Sequence, residues 1–234
     1  DVLHDATEEE VLAVEERVHV DLDRVVEEPV DQDRRGVADR QAAGPLHDGG
    51  RARHMSGGAS TRVTAEKCLW REEGGGAEAA ARCLAFLEEV GIEVDWIGPD
   101  DEAQLLDGLA IIGGRLLVDP ETPIWPSDLL HEGGHIAAAA PEVRPTLGPI
   151  EADPTDEMMA IAWSFAASRQ VGMPLKHLFH SGGYRDDSAK LIQSFATGHY
   201  IGAPMLGYYG MCADMQTAMA QGTASFPNMI RWLR

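Results

Sequence analysis

His131-Glu132-Gly133-Gly134-His135 sets two imidazoles and a carboxylate in the pattern that metal-assisted hydrolysis requires. Four residues of α-helix turn through about 400°, so the two histidines stand one above the other on one face. Both rings can then ligate one Zn²⁺, with Glu132 beside the ion and able to take a proton from a water there. Leu129 and Leu130 before the motif and Ile136 to Ala140 after it predict a buried helix from about Ser127, which Pro141 stops. The paired glycines are unusual, because each costs about 1 kcal/mol in a helix interior. Close approach of another backbone or of a ligand would be a reason for them.

Two histidines do not close a catalytic zinc site, so a third protein ligand is needed. The candidates downstream are Glu151, Asp153, Asp156, Glu157, His177, His180 and His199. Asp153-Pro154 reads as an N-cap followed by proline at the first helical position, which puts Asp156 at the capping-box site. Glu157 comes one residue later and leads into Met158, Met159, Ile161, Ala162, Trp163 and Phe165, a helix apolar on nearly every side. A carboxylate in the first turn of such a helix is costly to bury unless paired or metal-bound. Glu157 is therefore the first choice, against the plainer reading of a solvated helix-start acid. Glu151 and Asp153 come next.

The elements that position these residues follow from periodicity. Leu84, Leu87 and Val90 predict a helix over 77–90 that ends at Gly91. Residues 92–97 alternate as a strand, stopped by Gly98-Pro99-Asp100. Residues 109–112 and 115–118 flank Gly113-Gly114, the signature of a tight hairpin. After the motif helix, a second helix runs over about 155–171 and breaks at Gly172 and Pro174. The remainder to Trp232 reads as helical segments between glycine-rich turns.

His131-Glu132-xx-His135, followed by Glu157 on the next helix, resembles the glutamate-type zincins. A short hairpin, Asp119-Pro120, a loop and the motif helix are similar to the small bacterial ImmA/IrrE-type metallopeptidases, as are Ser164-Phe165-Ala166-Ala167 and Met173-Pro174. The likeness covers roughly residues 77–175. It implies His131, His135 and Glu157 as zinc ligands and Glu132 as general base. It also implies a compact α+β zincin-like domain with a small, mostly antiparallel sheet and a helical C-terminal part. The expected activity is that of a zinc metallopeptidase acting on a peptide or protein. The alternative is a zincin-fold regulatory or binding protein that holds metal and cleaves nothing. Two departures stand out: family motif helices usually carry a bulky residue where Gly133 or Gly134 stands, and no DNA-reading helix-turn-helix is present. A repressor-cleaving role is therefore not expected.

A zinc peptidase also needs a donor for the developing oxyanion. His180, Tyr184 and Arg185 in the glycine-rich stretch 179–185, and His199 beside Gly198, are the candidates, against ordinary loop hydrogen bonding. Met205, Met211, Met215 and Met219 recur at helix-like spacing and read as core rather than as copper ligands.

Composition narrows the partners. A net charge of −20 argues against nucleic acid and against anionic membrane surfaces. No apolar run approaches a membrane span, and no signal-peptide core opens the chain, so a cytoplasmic protein is expected. Cys68, Cys83 and Cys212 are odd in number and without a CxxC pair, which suits reduced structural thiols. Residues 1–54 differ from the rest: they hold 15 acids and 7 arginines but no aromatic residue, Ile, Lys, Asn or Cys. Thr7 and Glu10 suggest a capped helix before Val11, Val14 and Val18, while Val18, Val20 and Leu22 alternate as a strand would. The missing types mostly have A+T-rich codons, and the whole chain has 16 Arg against 3 Lys. Two readings fit: upstream or misframed translation before a start at Met55, or an acidic disordered tail. Residues 55–76 are expected to link this extension to the domain at 77–234.

Overall fold

The computed structural model describes residues 62–97, 108–148 and 153–234. The helix and strand patterns before residue 55, the Gly98-Pro99-Asp100 turn and Glu151 lie outside the described residues.

Local rules set most element boundaries. α1 (Gly76–Val90) runs to position 91 as expected, burying Ala79, Ala80, Cys83, Phe86 and Leu87 along one face. β1 (Val94–Trp96) is shorter than the alternating stretch suggests. β2 (Leu109–Ile112) and β3 (Arg115–Val118) form the hairpin, with Leu109 opposite Val118 and Ile112 opposite Arg115. Gly113 and Gly114 have φ of 60° and 72°, the sign that a two-residue turn matched to strand twist needs.

The sheet is mixed rather than mostly antiparallel. Its order is β1-β3-β2, and β1 runs parallel to β3, with Val94 against Leu116 and Trp96 against Val118. A hairpin announces itself through its turn, whereas a parallel partner is reached through a longer connection that leaves no local mark.

α2 (Pro126–Ala138) carries the motif and begins with proline at its first turn. α3 (Pro154–Gln170) starts where the capping rule places it: the Thr155 N–H donates to Asp153 Oδ1 at 2.7 Å. Ten consecutive residues of α3, Met159 to Ser168, are buried. No side of that stretch meets solvent because α2 packs on α3 from one direction, and α4 (Leu175–Leu178) and α7 (Ala203–Tyr208) from others. Ser164 and Ser168 tolerate burial by donating to the Ile161 and Phe165 carbonyls at 2.9 and 2.7 Å. Trp163 is fully buried, edge-on to Trp232, and its Nε1–H donates to the Trp232 carbonyl at 2.9 Å. Truncating such a side chain to alanine costs about 3–5 kcal/mol.

Two expectations need correction. Residues 62–76 are part of the fold rather than a linker: Val63, Ala65 and Trp70 join the core, and Trp70 bridges to Ile124. Of the four spaced methionines, Met211 is buried and Met205 packs against the core. Met215 and Met219, on α8 (Met215–Gln221), are 70% and 79% exposed, so helical spacing alone misassigned them.

The C-terminal part grips the motif helix at both ends. Near its start lies α5 (Ser181–Tyr184), which α6 (Ser188–Ala196) follows in the chain. At its end, the Arg234 N–H donates to the Ala137 carbonyl at 3.0 Å. Arg144 donates to the Ile136, Ala139 and Arg234 carbonyls at 3.0, 3.1 and 3.2 Å, placing a cation where the helix exposes its last acceptors. Among the described residues, no helix is long and apolar enough to cross a membrane.

Candidate metal centre

The site forms where α2 and α3 touch, and the paired glycines explain how closely they do so. A Cβ at Gly134 would lie 2.9 Å from both the Ala160 Cα and the Ala160 carbonyl oxygen. A Cβ at Gly133 would lie 2.7 Å from the end of the Leu87 side chain and 3.6 Å from Trp163. Backbone against backbone at position 134 is thus the reason for the costly glycine. Glu157 precedes Ala160 by three residues and shares its face, so the same contact carries the carboxylate to the histidines.

His131 Nε2 and His135 Nε2 stand 3.3 Å apart. Glu157 straddles them, with Oε1 3.4 Å from His131 Nε2 and Oε2 3.4 Å from His135 Nε2. Ligands about 2.0–2.1 Å from a tetrahedral ion stand about 3.3–3.4 Å from one another. The three groups therefore already have the spacing of three corners around one small ion, and among the described residues they form a group that could hold a metal. The His131 and His135 side chains are 16% and 6% exposed and that of Glu157 is 41% exposed, so the site opens to solvent on the Glu157 side.

Electrostatics follow from this packing. Burial pushes the Glu157 carboxyl up, but its hydrogen bonds to His131 and His135 and their charges outweigh that and hold it well below the usual range. Burial likewise opposes a proton on His131, and the hydrogen bond to Glu157 with the charges of Glu157, Glu132 and Asp128 overcomes it, raising its pKa. Glu132 is raised above an ordinary glutamate by burial, only partly offset by His131 and His135. No described residue hydrogen-bonds the Glu132 carboxylate, which leaves it able to accept a proton from water. Among the described residues, His135 Nδ1 is buried without a hydrogen-bond partner. A ring held with Nε2 at an ion keeps its proton on Nδ1, so that nitrogen wants an acceptor.

The other expected residues disperse. Asp153 caps α3, and Asp156, expected to complete a capping box, instead lines a cavity of about 200 Å³ with His135 and Arg234. His177 lies against the Gly75 turn. His199 is exposed, with Thr197 Oγ1 at 3.2 Å from its Nδ1. Arg185 is exposed and has a positive φ of 46°. His180 is buried: its Nδ1 accepts from the Gly183 N–H at 3.1 Å, so its proton sits on Nε2 and is donated to Asp128 Oδ1 at 2.8 Å. Tyr184 does reach the centre, through its hydroxyl 3.1 Å from His131 Nδ1. That nitrogen is on the far side of the ring from Nε2, so the phenol meets the ligand rather than the space across from it. Burial, then the charges of Glu157, Asp128 and Glu132, raise its pKa well above the usual value, which keeps the phenol protonated.

Sequence reasoning passed over Asp128 and Trp125. Asp128 precedes His131 by one helical turn, and that spacing could have found it. Trp125 stacks on His180 with ring centroids 4.0 Å apart, a contact across 55 positions that no local pattern marks. The three cysteines stay outside the site: all are free, and burial pushes Cys83 up to about 12 and Cys68 and Cys212 up to about 11, unlike thiolate ligands. Compared with protein-family models, curated proteins and solved structures, the chain matches none.

Proposed function

We propose that this chain is a zinc-dependent hydrolase of peptide bonds. The observation that carries the reading is the triangle of His131, His135 and Glu157 at 3.3–3.4 Å, with the Glu132 carboxylate next to His131 in sequence and, among the described residues, free of hydrogen-bond partners. Two imidazoles and one carboxylate with a fourth side open to solvent is a donor set that catalytic zinc uses. When bound there, zinc supplies Lewis acidity to a carbonyl and lowers the pKa of water. Glu132, more basic than an ordinary glutamate, takes the proton of the attacking water and delivers it to the leaving amine. Among the described residues β2 is an edge strand, whose outer side could align an extended peptide by strand addition, which favours a peptide over a compact substrate.

The test pairs metal content with cleavage. Protein purified without a His tag should hold one zinc per chain, and His131→Ala or His135→Ala should lose it. Glu132→Gln should keep zinc and fold while losing about 10²–10⁴-fold in cleavage of a peptide library read by mass spectrometry, since an amide cannot accept the proton. Equal cleavage by the wild type and Glu132→Gln would refute the assignment of the base. Stoichiometric zinc with no cleavage by the wild type would leave a metal-binding protein that is not a peptidase.

A further inference from the structure

α2 and the turn at 180–184 meet through two rungs. Asp128 and His131 are one turn apart on α2, and His180 and Tyr184 are one turn apart on the segment facing it. His180 donates to Asp128 Oδ1 at 2.8 Å, and Tyr184 Oη lies 3.1 Å from His131 Nδ1. Since a rung forms at each end, neither segment can slide along the other without breaking both.

The turn is built tightly around that register. Trp125 stacks on His180 with an interplanar angle of 13°. The Gly183 N–H caps His180 Nδ1, and a Cβ at Gly182 would lie 2.8 Å from Trp125 Nε1, so the chain passes directly against the stacked rings. The Tyr184 ring stands edge-on to both His131 and Phe179, which fixes where its hydroxyl falls. This arrangement exceeds what packing requires, because Phe would fill the same space as Tyr without meeting His131.

We propose that Tyr184 is a positioning residue for the metal centre, accepting the Nδ1–H of His131 so that Nε2 faces the ion, and that the His180–Asp128 rung holds Tyr184 in that place. The inference rests on the reading of His131, His135 and Glu157 as a metal site. A ligand histidine has its tautomer and ring orientation set by the partner of its other nitrogen, and loss of such a partner typically weakens metal affinity about 10–100-fold. Tyr184 acts through His131 and does not itself meet a substrate.

The full chain is loaded with Zn²⁺ by competition against a chelator, and with Co²⁺ to read the visible spectrum of the site. Tyr184→Phe should bind Zn²⁺ about 10–100-fold more weakly than wild type and alter the Co²⁺ bands, while the metal-free melting temperature stays unchanged. Asp128→Ala should weaken Zn²⁺ in the same direction through loss of the first rung, Asp128→Asn should restore binding by keeping an acceptor for His180, and the Asp128→Ala/Tyr184→Phe double variant should be no weaker than Tyr184→Phe alone. Wild-type affinity and an unchanged Co²⁺ spectrum in Tyr184→Phe would overturn the inference while leaving the metal centre intact. If Tyr184→Phe fails to fold, the Asp128 pair decides: weakening by Ala with recovery by Asn supports the rung, and equal affinity in both overturns it. Wild-type protein that takes up neither ion would overturn the metal centre and this inference together.

Discussion

Gly134→Ala pits two known effects of opposite sign against each other. In an uncrowded helix, replacing glycine by alanine stabilises by about 1 kcal/mol. Here the new methyl would lie 2.9 Å from the Ala160 Cα and carbonyl oxygen, against an ordinary contact of about 3.5–4.0 Å. α3 must therefore back away by roughly 0.6–1.1 Å, and overpacking of that kind costs about 1–3 kcal/mol. The net expectation is a destabilisation of about 0–2 kcal/mol, read as a melting temperature lower by up to about 8 °C. The more telling effect is at the site. Glu157 moves with Ala160, so its 3.4 Å distances to His131 and His135 open to roughly 4.0–4.5 Å. Ligand distances must hold to within about 0.2 Å, so zinc affinity should fall by at least about tenfold. Gly133→Ala is the control: its methyl meets only the flexible end of Leu87 closely, so it should retain zinc and melt within a few degrees of wild type. The assay is calorimetric melting of the metal-free protein together with zinc competition against a chelator. A Gly134→Ala protein that melts higher than wild type and keeps its zinc affinity would refute the close helix contact as what brings Glu157 to the histidines.

Two further outcomes follow from the same packing. Without metal, Glu157 stabilises the fold above its ordinary value of 4.5 and loses this as pH falls, while His131 stabilises below its ordinary 6.5 and loses this as pH rises through its raised value. Glu157→Gln should therefore lower the melting temperature of the metal-free protein more near pH 5.5 than near pH 9, and an equal drop at both would show that the pair is not coupled in this way. Arg144→Ala should destabilise by about 1–3 kcal/mol in thermal melts, because three carbonyls lose a charged donor, and Arg144→Lys should recover only part, since one ammonium cannot fork to all of them. An Arg144→Ala protein as stable as wild type would show that water replaces those bonds without cost.

Features written into a few neighbouring residues could be read from the chain. Asp153-Pro154 starts α3, Gly113-Gly114 turns the hairpin, and the unbroken apolar run after Glu157 marks a helix with no exposed side. Each is decided within a turn or two of backbone, where capping, turn geometry and periodicity act. What escaped depends on partners far away in sequence. The parallel pairing of β1 with β3, the docking of Trp70 on Ile124 and the Tyr184 hydroxyl on His131 join residues 22, 54 and 53 positions apart. Nothing in residues 92–97 or in the stretch 179–185 specifies which surface will receive it.

Position 134 shows how the two kinds of information meet. By helix propensity alone, a glycine there is a defect of about 1 kcal/mol. Its reason becomes visible only when Ala160 is set against it at 2.9 Å from where a Cβ would stand. A bulky residue at this place would hold α3 away, and a glutamate side chain reaches only a fixed distance from its backbone. The small residues at 134 and 160 and the glutamate at 157 are thus one device: the first two set the helix separation that the third needs. The grips on α2, His180 and Tyr184 near its start and Arg144 and Arg234 at its end, then keep that helix from yielding along its axis. Residues 176–234 thus meet the motif helix through His180 and Tyr184 near its start and Arg234 at its end, all contacts that no local sequence pattern marks.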